Sequence, residues 1–470
     1  MHKHMVLTAC CLSVVLIGFD VTAVNLALPS MAQDLHAGIN GMQWVIASYS
    51  LATAVLLLTA GSIGDRLGYK VGLTAGVGIF TLASMLCGVA SSHQMLVIFR
   101  VVQAVGAALI VPMSMSLISR VFPDTAERAR KLGAYTAAYA LGMALGPVLG
   151  GAVVDSIGWR LIFWINLPVG LATLLLTARY APTFRPARAS SLDVTGQLLV
   201  IALLGPTVYA IIEAPRRSWT SVEVMVCMAV AAAALISLLT YERHRRDPLI
   251  DQRYFRSAPF TCAMSIALVS FAAFSGVLFL STLYLQNAKG FSALRSGVWL
   301  LPLAVMVGIC GPLAGHLTGR YGPRSAFVVA GAANLAGGLL FVLGPPDMPD
   351  AWLLTGYALF GAGIGLSNSP SAATVVAGVP RDHAGVATAL LITLRRVGFC
   401  LGVAVMGSIL ASAEWHDTGS ILEFANAAQP GWWAVTFCGL AELLLGLVAT
   451  STWALHTAER TRAALREREP

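Results

Sequence analysis

Ala60-Gly-Ser-Ile-Gly-Asp-Arg-Leu-Gly-Tyr-Lys70 follows one long apolar run, and Ala314-Gly-His-Leu-Thr-Gly-Arg-Tyr-Gly-Pro-Arg324 follows another. Arg66 aligns with Arg320, Gly68 with Gly322 and Lys70 with Arg324, while Asp65 is replaced by Gly319. The partial repeat implies two matching halves, which is how many secondary transporters are built. The surrounding composition agrees. The chain of 470 residues is 57% hydrophobic and 11% charged, with a mean hydropathy of +0.77. Soluble domains carry roughly 25% charged residues. The expected class is an all-α polytopic membrane protein.

A spanning helix needs about 20 mainly apolar residues. The pattern predicts fourteen, near 5–27, 42–62, 72–91, 94–119, 133–154, 161–179, 195–213, 221–240, 259–284, 295–317, 325–344, 351–378, 386–411 and 432–454. The repeat divides them into an N-terminal six-helix half (1–185), two inserted linker helices (186–257), a C-terminal six-helix half (258–455) and a cytoplasmic tail (456–470). Ser30-Met-Ala32 resembles a signal-cleavage site, but the apolar stretch before it is long and interrupted by Asp20 and Asn25, so the first run is expected to be retained.

The pI of 9.2 does not point to nucleic acid, because the basic residues fall in short loops between apolar runs. With the amino terminus inside, only Arg160, Arg216, Arg217, Lys289 and Arg295 lie outside, and Arg100, Arg395 and Arg396 lie within spans. That asymmetry places both termini in the cytoplasm. The clusters Arg243/Arg245/Arg246 and Arg460/Arg462/Arg466/Arg468 read as solvated cytoplasmic segments. All eight cysteines lie within hydrophobic runs without paired spacing, and His93, His316 and His383 lack metal-ligand spacing. No metal, cofactor or disulfide framework is expected. Gly-x-x-x-x-Gly-Lys-Ser/Thr is absent, which argues against an ATP-driven pump, and no nucleophile–base constellation marks an enzyme.

Asp20 carries most of the functional argument, because it interrupts the first apolar run. A charge at the centre of a spanning helix costs about 3 kcal/mol on insertion scales, so such residues usually mark an ion or substrate path. Asp20 lies roughly 22 Å along a helix entered from the cytoplasm, and Arg100 roughly 10 Å into one entered from outside. In a core about 30 Å thick both fall at similar depth. Each charge is tolerable beside the other, or beside a shared aqueous cavity. Burial and a neighbouring guanidinium act on a carboxyl's proton in opposite senses, so a change of access would let Asp20 gain or lose it. The plainer alternative is a permanently ionised bridge that joins two helices.

Four motifs give the chain a resemblance to the major facilitator superfamily, specifically its fourteen-helix drug:proton antiporter branch of the EmrB/QacA type. Asp20-Val-Thr-Ala-Val-Asn-Leu-Ala-Leu-Pro29 is close to the acidic first-helix signature. Gly61-Ser-Ile-Gly-Asp65-Arg66-Leu-Gly68-Tyr-Lys70 looks like the loop between helices two and three. Arg100-Val-Val-Gln103-Ala-Val-Gly106 resembles the fourth-helix motif, and Gly142-Met-Ala-Leu-Gly146-Pro147-Val-Leu-Gly150-Gly151 the fifth-helix antiporter motif.

The resemblance implies the major facilitator fold and roles for these residues. Asp20 and Arg100 would couple protons. Gly61, Asp65, Arg66, Gly68 and Lys70 would form a conformational clamp, where the residues alone also fit a solvated cytoplasmic turn. Gly142, Gly146, Pro147, Gly150 and Gly151 would form a seam, where small residues at helical spacing also fit plain close packing. Arg395-Arg396 stands where relatives often have Arg-Gln, giving either a positive cavity wall or an interfacial pair. Glu442 is the other intramembrane acid and could pair with an arginine or stay protonated. Asn25, Trp44, Tyr49, Gln103, Asn334 and Arg395 are candidate cavity residues.

The expectation is a monomeric exporter in the cytoplasmic membrane that expels an amphipathic small molecule in exchange for protons. Its substrate would bind near mid-membrane between the two halves. A proton-coupled importer of a nutrient on the same fold is the rival reading.

Overall fold

The computed structural model describes residues 3–184, 193–245, 252–379, 384–413 and 420–466; His383, Arg246 and Arg468 lie outside them. The described residues form sixteen α-helices: α1 (Lys3–Asp34), α2 (Ile39–Leu67), α3 (Tyr69–Gly88), α4 (His93–Val121), α5 (Thr125–Ser156), α6 (Arg160–Tyr180), α7 (Val194–Arg217), α8 (Val222–His244), α9 (Ala258–Leu283), α10 (Ala293–Trp299), α11 (Leu301–Tyr321), α12 (Pro323–Leu343), α13 (Asp350–Ala377), α14 (Ala384–Ser412), α15 (Ile421–Ala449) and α16 (Thr452–Arg466). With α10 and α11 running on as one span, thirteen spans are long and apolar enough to cross a bilayer. The fourteenth is α13, whose 28 residues suffice in length while Ser367, Asn368, Ser369 and Ser371 dilute its apolar character. The fourteen expected spans all have a helix.

The three largest boundary shifts are in α15, α5 and α1. Helix α15 begins at Ile421, well before the expected 432. Ser420 and Glu423 form a reciprocal capping box there, and Pro430 lies inside the helix instead of ending it. Helix α5 starts at Thr125, where the Asp124 carboxylate accepts from the Glu127 N–H. Helix α1 continues through Pro29 to Asp34. In addition, much of the expected tail is the helix α16.

By their packing the residues form two compact units, Met1–Gln197 with Leu285–Leu301, and Leu198–Tyr284 with Pro302–Pro470. In the first, α1 is central: every residue from Ile17 to Pro29 is buried. Lipid tails are as apolar as leucine, so close backbone approach must hold the helices together. Glycine supplies it. A Cβ on Gly106 of α4 would lie 2.5 Å from the Phe80 nitrogen and 2.6 Å from the Gly76 carbonyl of α3.

In the second unit α9 is apolar on all sides and mostly buried. Helix α8 is the converse, exposing Met225, Val226, Met228 and Ile236, as a lipid-facing helix should. Helix α7 contains Pro215, whose missing N–H leaves the Ile211 carbonyl without its helical donor. The Ser408 hydroxyl of α14 donates to that carbonyl, tying the inserted helix to its neighbour.

Candidate functional site

Asp20, Arg100 and Gln103 meet in the interior of the first unit, with 0%, 1% and 0% of their surfaces exposed. Arg100 Nη1 donates to Asp20 Oδ2 at 2.6 Å and to Gln103 Oε1 at 2.7 Å. Gln103 Nε2 donates to Asp20 Oδ1 at 2.9 Å, closing a triangle. Arg100 Nε donates to the Val45 carbonyl of α2 at 3.3 Å. The guanidinium carbon lies 4.1 Å from the centre of the Tyr49 ring and 6.0 Å from that of Phe163. Arg100 and Gln103, three residues apart on α4, present to one face, and the matched depth with Asp20 puts the acid opposite them.

Both Asp20 oxygens accept hydrogen bonds, Oδ2 from the Arg100 guanidinium and Oδ1 from the Gln103 amide. The guanidinium has hydrogen-bond acceptors at Nη1 and Nε and an aromatic face beside it, a cage suited to a desolvated arginine. Removing one member of such a buried pair typically costs 3–5 kcal/mol. Two residues proposed for a substrate cavity, Tyr49 and Gln103, therefore belong to this cage. The spacing Arg100-x-x-Gln103 was the signal for Gln103; nothing in the sequence marked Val45 or Phe163.

The glycine motif of α5 sets the distance to α1. Cβ atoms on Gly142, Gly146 and Gly150 would run into Val15, Phe19, Thr22 and Ala23. Thr22 of α1 donates to the Met143 carbonyl at 3.0 Å across the same seam. Gly151 differs from the expectation of one shared face. Being one residue beyond Gly150 it turns about 100° around the helix, and its Cβ would meet Leu294 Cα at 2.6 Å. Nearby, the Asp155 oxygens accept from the N–H groups of Ala293 and Leu294 at 3.0 and 2.8 Å, capping α10. Gly297 of α10 sits against the Pro147 carbonyl, with no room for a side chain.

The clamp residues are not on a loop. Gly61, Asp65 and Arg66 lie within α2, Lys70 is the second residue of α3, and Gly68 alone makes the turn at φ 87°. A left-handed backbone there favours glycine. Asp65 Oδ1 accepts from the Tyr69 hydroxyl at 2.9 Å, and Lys70 Nζ donates to the Ala178 carbonyl of α6 at 2.8 Å. Arg120 of α4 stacks 5.1 Å over the Tyr69 ring. Gly61 has open space around it.

Of the other candidate cavity residues, Asn25 is buried on α1 and Trp44 half-buried on α2. Arg395, in the second unit, donates to the Asn368 carbonyl at 3.0 Å and lies 5.5 Å over the Phe271 ring. Asn334 is fully buried and donates to Glu442 Oε2 at 2.6 Å, so it serves that acid. Glu442 pairs with no arginine among the described residues. No group of histidine, cysteine and carboxylate side chains that could hold a metal occurs among them either.

A family model described as Major Facilitator Superfamily matches residues 10–403. The chain belongs to that superfamily. It is 38% identical over 414 residues to the multidrug resistance protein Stp of Mycobacterium tuberculosis (strain ATCC 25618 / H37Rv), covering 88% of this chain and 77% of that protein. It is 33% identical over 463 residues to the methylenomycin A resistance protein of Streptomyces coelicolor (strain ATCC BAA-471 / A3(2) / M145), covering 98% and 94%. A solved bacterial homologue of the human drug peptide transporters PepT1 and PepT2 shares the fold, with a TM-score of 0.67 at 16% identity over 98% of this chain and 100% of that one. This superfamily member is therefore a multi-pass membrane transporter of small molecules, of a family that is not enzymatic in general.

Proposed function

We propose that this transporter is a drug:proton antiporter of the fourteen-helix EmrB/QacA type, exporting an amphipathic drug or antibiotic across the cytoplasmic membrane. The observation that carries the reading is the buried Asp20–Arg100–Gln103 triangle. Relatives named for multidrug and methylenomycin A resistance support export over nutrient uptake.

The proposed coupling step runs through this triangle. A proton reaching Asp20 forms an O–H bond and removes the negative charge opposite Arg100. Arg100 keeps Gln103, the Val45 carbonyl and the Tyr49 ring, all on α2 and α4. Protonation thus loosens α1 from α4 without abandoning the cation, and loss of the proton draws them together. The glycine seam keeps α1 and α5 in register while this happens, and the links from Asp65 to Tyr69 and from Lys70 to α6 break and re-form as the helices tilt. Asn25, Trp44 and Arg395 are proposed to line the substrate path. The six-helix halves 1–185 and 258–455 are proposed as the alternating bodies, with both termini cytoplasmic and the monomer as the working unit.

The test is a deletion strain screened against a broad panel of toxic compounds. The strain should become hypersensitive to at least one, and the wild-type gene but not Asp20→Asn should restore resistance at equal membrane expression. Failure to grow on some solute, with no hypersensitivity, would instead favour the importer.

A further inference from the structure

A groove of about 520 Å³ opens on the second unit, where α7 and α14 end and α15 begins. Ile211 and Pro215 line it from α7, Ser408 and Ser412 from α14, and Asn426 and Pro430 from α15. Its size falls among small-molecule sites, which span about 300–1,000 Å³. Each pair is four residues apart, so each helix turns one stripe toward the groove.

The walls suit hydrocarbon. The Ser408 hydroxyl is spent on the Ile211 carbonyl, and the Ser412 hydroxyl donates to the Ser408 carbonyl at 2.8 Å. Pro215 and Pro430 have no N–H to offer. These four residues give an occupant no hydrogen-bond donor, and a polar group entering between them would lose its bonds to water. Beyond the groove the same face of α15 continues, because Asn426, Pro430, Trp433 and Phe437 recur at i, i+4, i+7 and i+11. Trp433 and Phe437 are exposed, with their rings stacked 5.8 Å apart. They extend the apolar track about 10 Å past Pro430, into the span.

The rim is polar and carries both signs of charge. Trp219, 55% exposed, stands on the turn after α7, and tryptophan gathers at the membrane–water boundary. Arg217 is held by Glu213 and Glu223, whereas its neighbour Arg216, next to Pro215 of the wall, is exposed. On the opposite wall Glu423 is exposed one turn before Asn426 and faces the same way along α15. No ion pair engages Arg216 or Glu423 among the described residues.

We propose that this groove binds one phospholipid with a primary-amine headgroup, a phosphatidylethanolamine. An acyl chain fills the groove and follows the Trp433–Phe437 strip, the phosphate faces Arg216, and the ammonium faces Glu423. A choline headgroup carries the same charges but has no N–H for the carboxylate, and a glycerol headgroup has no cation. The Ser408 bond to α7 fixes the width of the groove, which gives the inserted helix a task. Placing the lipid in the outer leaflet rests on the proposed cytoplasmic termini; the binding itself rests on neither that orientation nor antiport.

Native mass spectrometry of the full-length protein in detergent tests this, with phosphatidylethanolamine, phosphatidylcholine and phosphatidylglycerol of equal chain length added in turn. The wild type should retain one phosphatidylethanolamine in preference to either other lipid. Glu423→Gln, which preserves the capping box, should erase the preference over phosphatidylcholine. Arg216→Glu, at an exposed position, should weaken retention about fivefold or more. Ser412→Trp, which fills the groove from an exposed wall residue, should abolish it. Equal retention of the three lipids by the wild type overturns the proposal, as does unchanged retention in Ser412→Trp. If Ser412→Trp does not fold, unchanged retention in both Arg216→Glu and Glu423→Gln overturns it. Retention of an exported compound at this groove, with no lipid bound, overturns it in favour of a substrate site.

Discussion

Gly142→Ala puts one methyl group into the seam between α1 and α5, and its effect can be worked from distances. The new Cβ would stand 2.5 Å from the Val15 carbonyl oxygen, 3.0 Å from Val15 Cα and 3.1 Å from the Phe19 nitrogen. All three are backbone atoms, so no rotamer change relieves the clash. Ordinary contact begins at 3.4 Å, so the helices must part locally by about 0.9 Å (3.4 − 2.5). A gap of 0.5–1 Å forfeits roughly a quarter to a half of the attraction of each facing atom pair. Overpacking of this kind costs about 1–3 kcal/mol. Phe19 precedes Asp20, so the displacement also reaches the 2.6 Å bond to Arg100. Gly133→Ala on the same helix is the control, since nothing lies within 4 Å of its Cβ, and alanine at an exposed helical position is worth about 1 kcal/mol over glycine. Thermal unfolding in detergent and export from cells should show Gly142→Ala melting several degrees lower and exporting less, with Gly133→Ala unimpaired. Equal melting and export for the two variants would refute the account of the seam.

Arg100→Lys retains the charge but loses the fork that reaches Asp20, Gln103 and the Val45 carbonyl together; the variant should reach the membrane and fail to export in the resistance assay. Gln103→Leu leaves Asp20 Oδ1 without its amide donor, and should lower stability by about 1–3 kcal/mol in a detergent melt. Ser408→Ala leaves the Ile211 carbonyl without the donor that replaces the missing Pro215 N–H. It should raise proteolysis near α7 while leaving the Asp20 site intact.

The depth match of Asp20 and Arg100 could be read from the chain because helical rise is fixed at about 1.5 Å per residue. Helix existence was legible for the same reason: a bilayer demands long apolar runs, and every such run became a helix. Rotation about the helix axis was harder to read. Gln103 and Tyr49 were read as cavity candidates, and their contacts with Arg100 depend on how α2 packs on α4. Gly151 looked like part of the stripe, yet one residue's rotation carries it to α10. The early start of α15 follows from the Ser420–Glu423 capping box, a signal that lies outside the apolar run from which the span 432–454 was read. Asn334 and Glu442 were both conspicuous, and their pairing required α12 and α15 to be brought together by glycines scattered over two helices.

Proton flux in vesicles bears most directly on the role of the first-helix acid. Purified wild-type protein and Asp20→Asn are reconstituted into liposomes with an imposed pH gradient and given a compound to which the deletion strain is hypersensitive. The wild type should accumulate the compound against its concentration and discharge the gradient as it does so, while Asp20→Asn equilibrates the compound without moving protons. Uphill accumulation by Asp20→Asn at the wild-type rate would contradict the assignment.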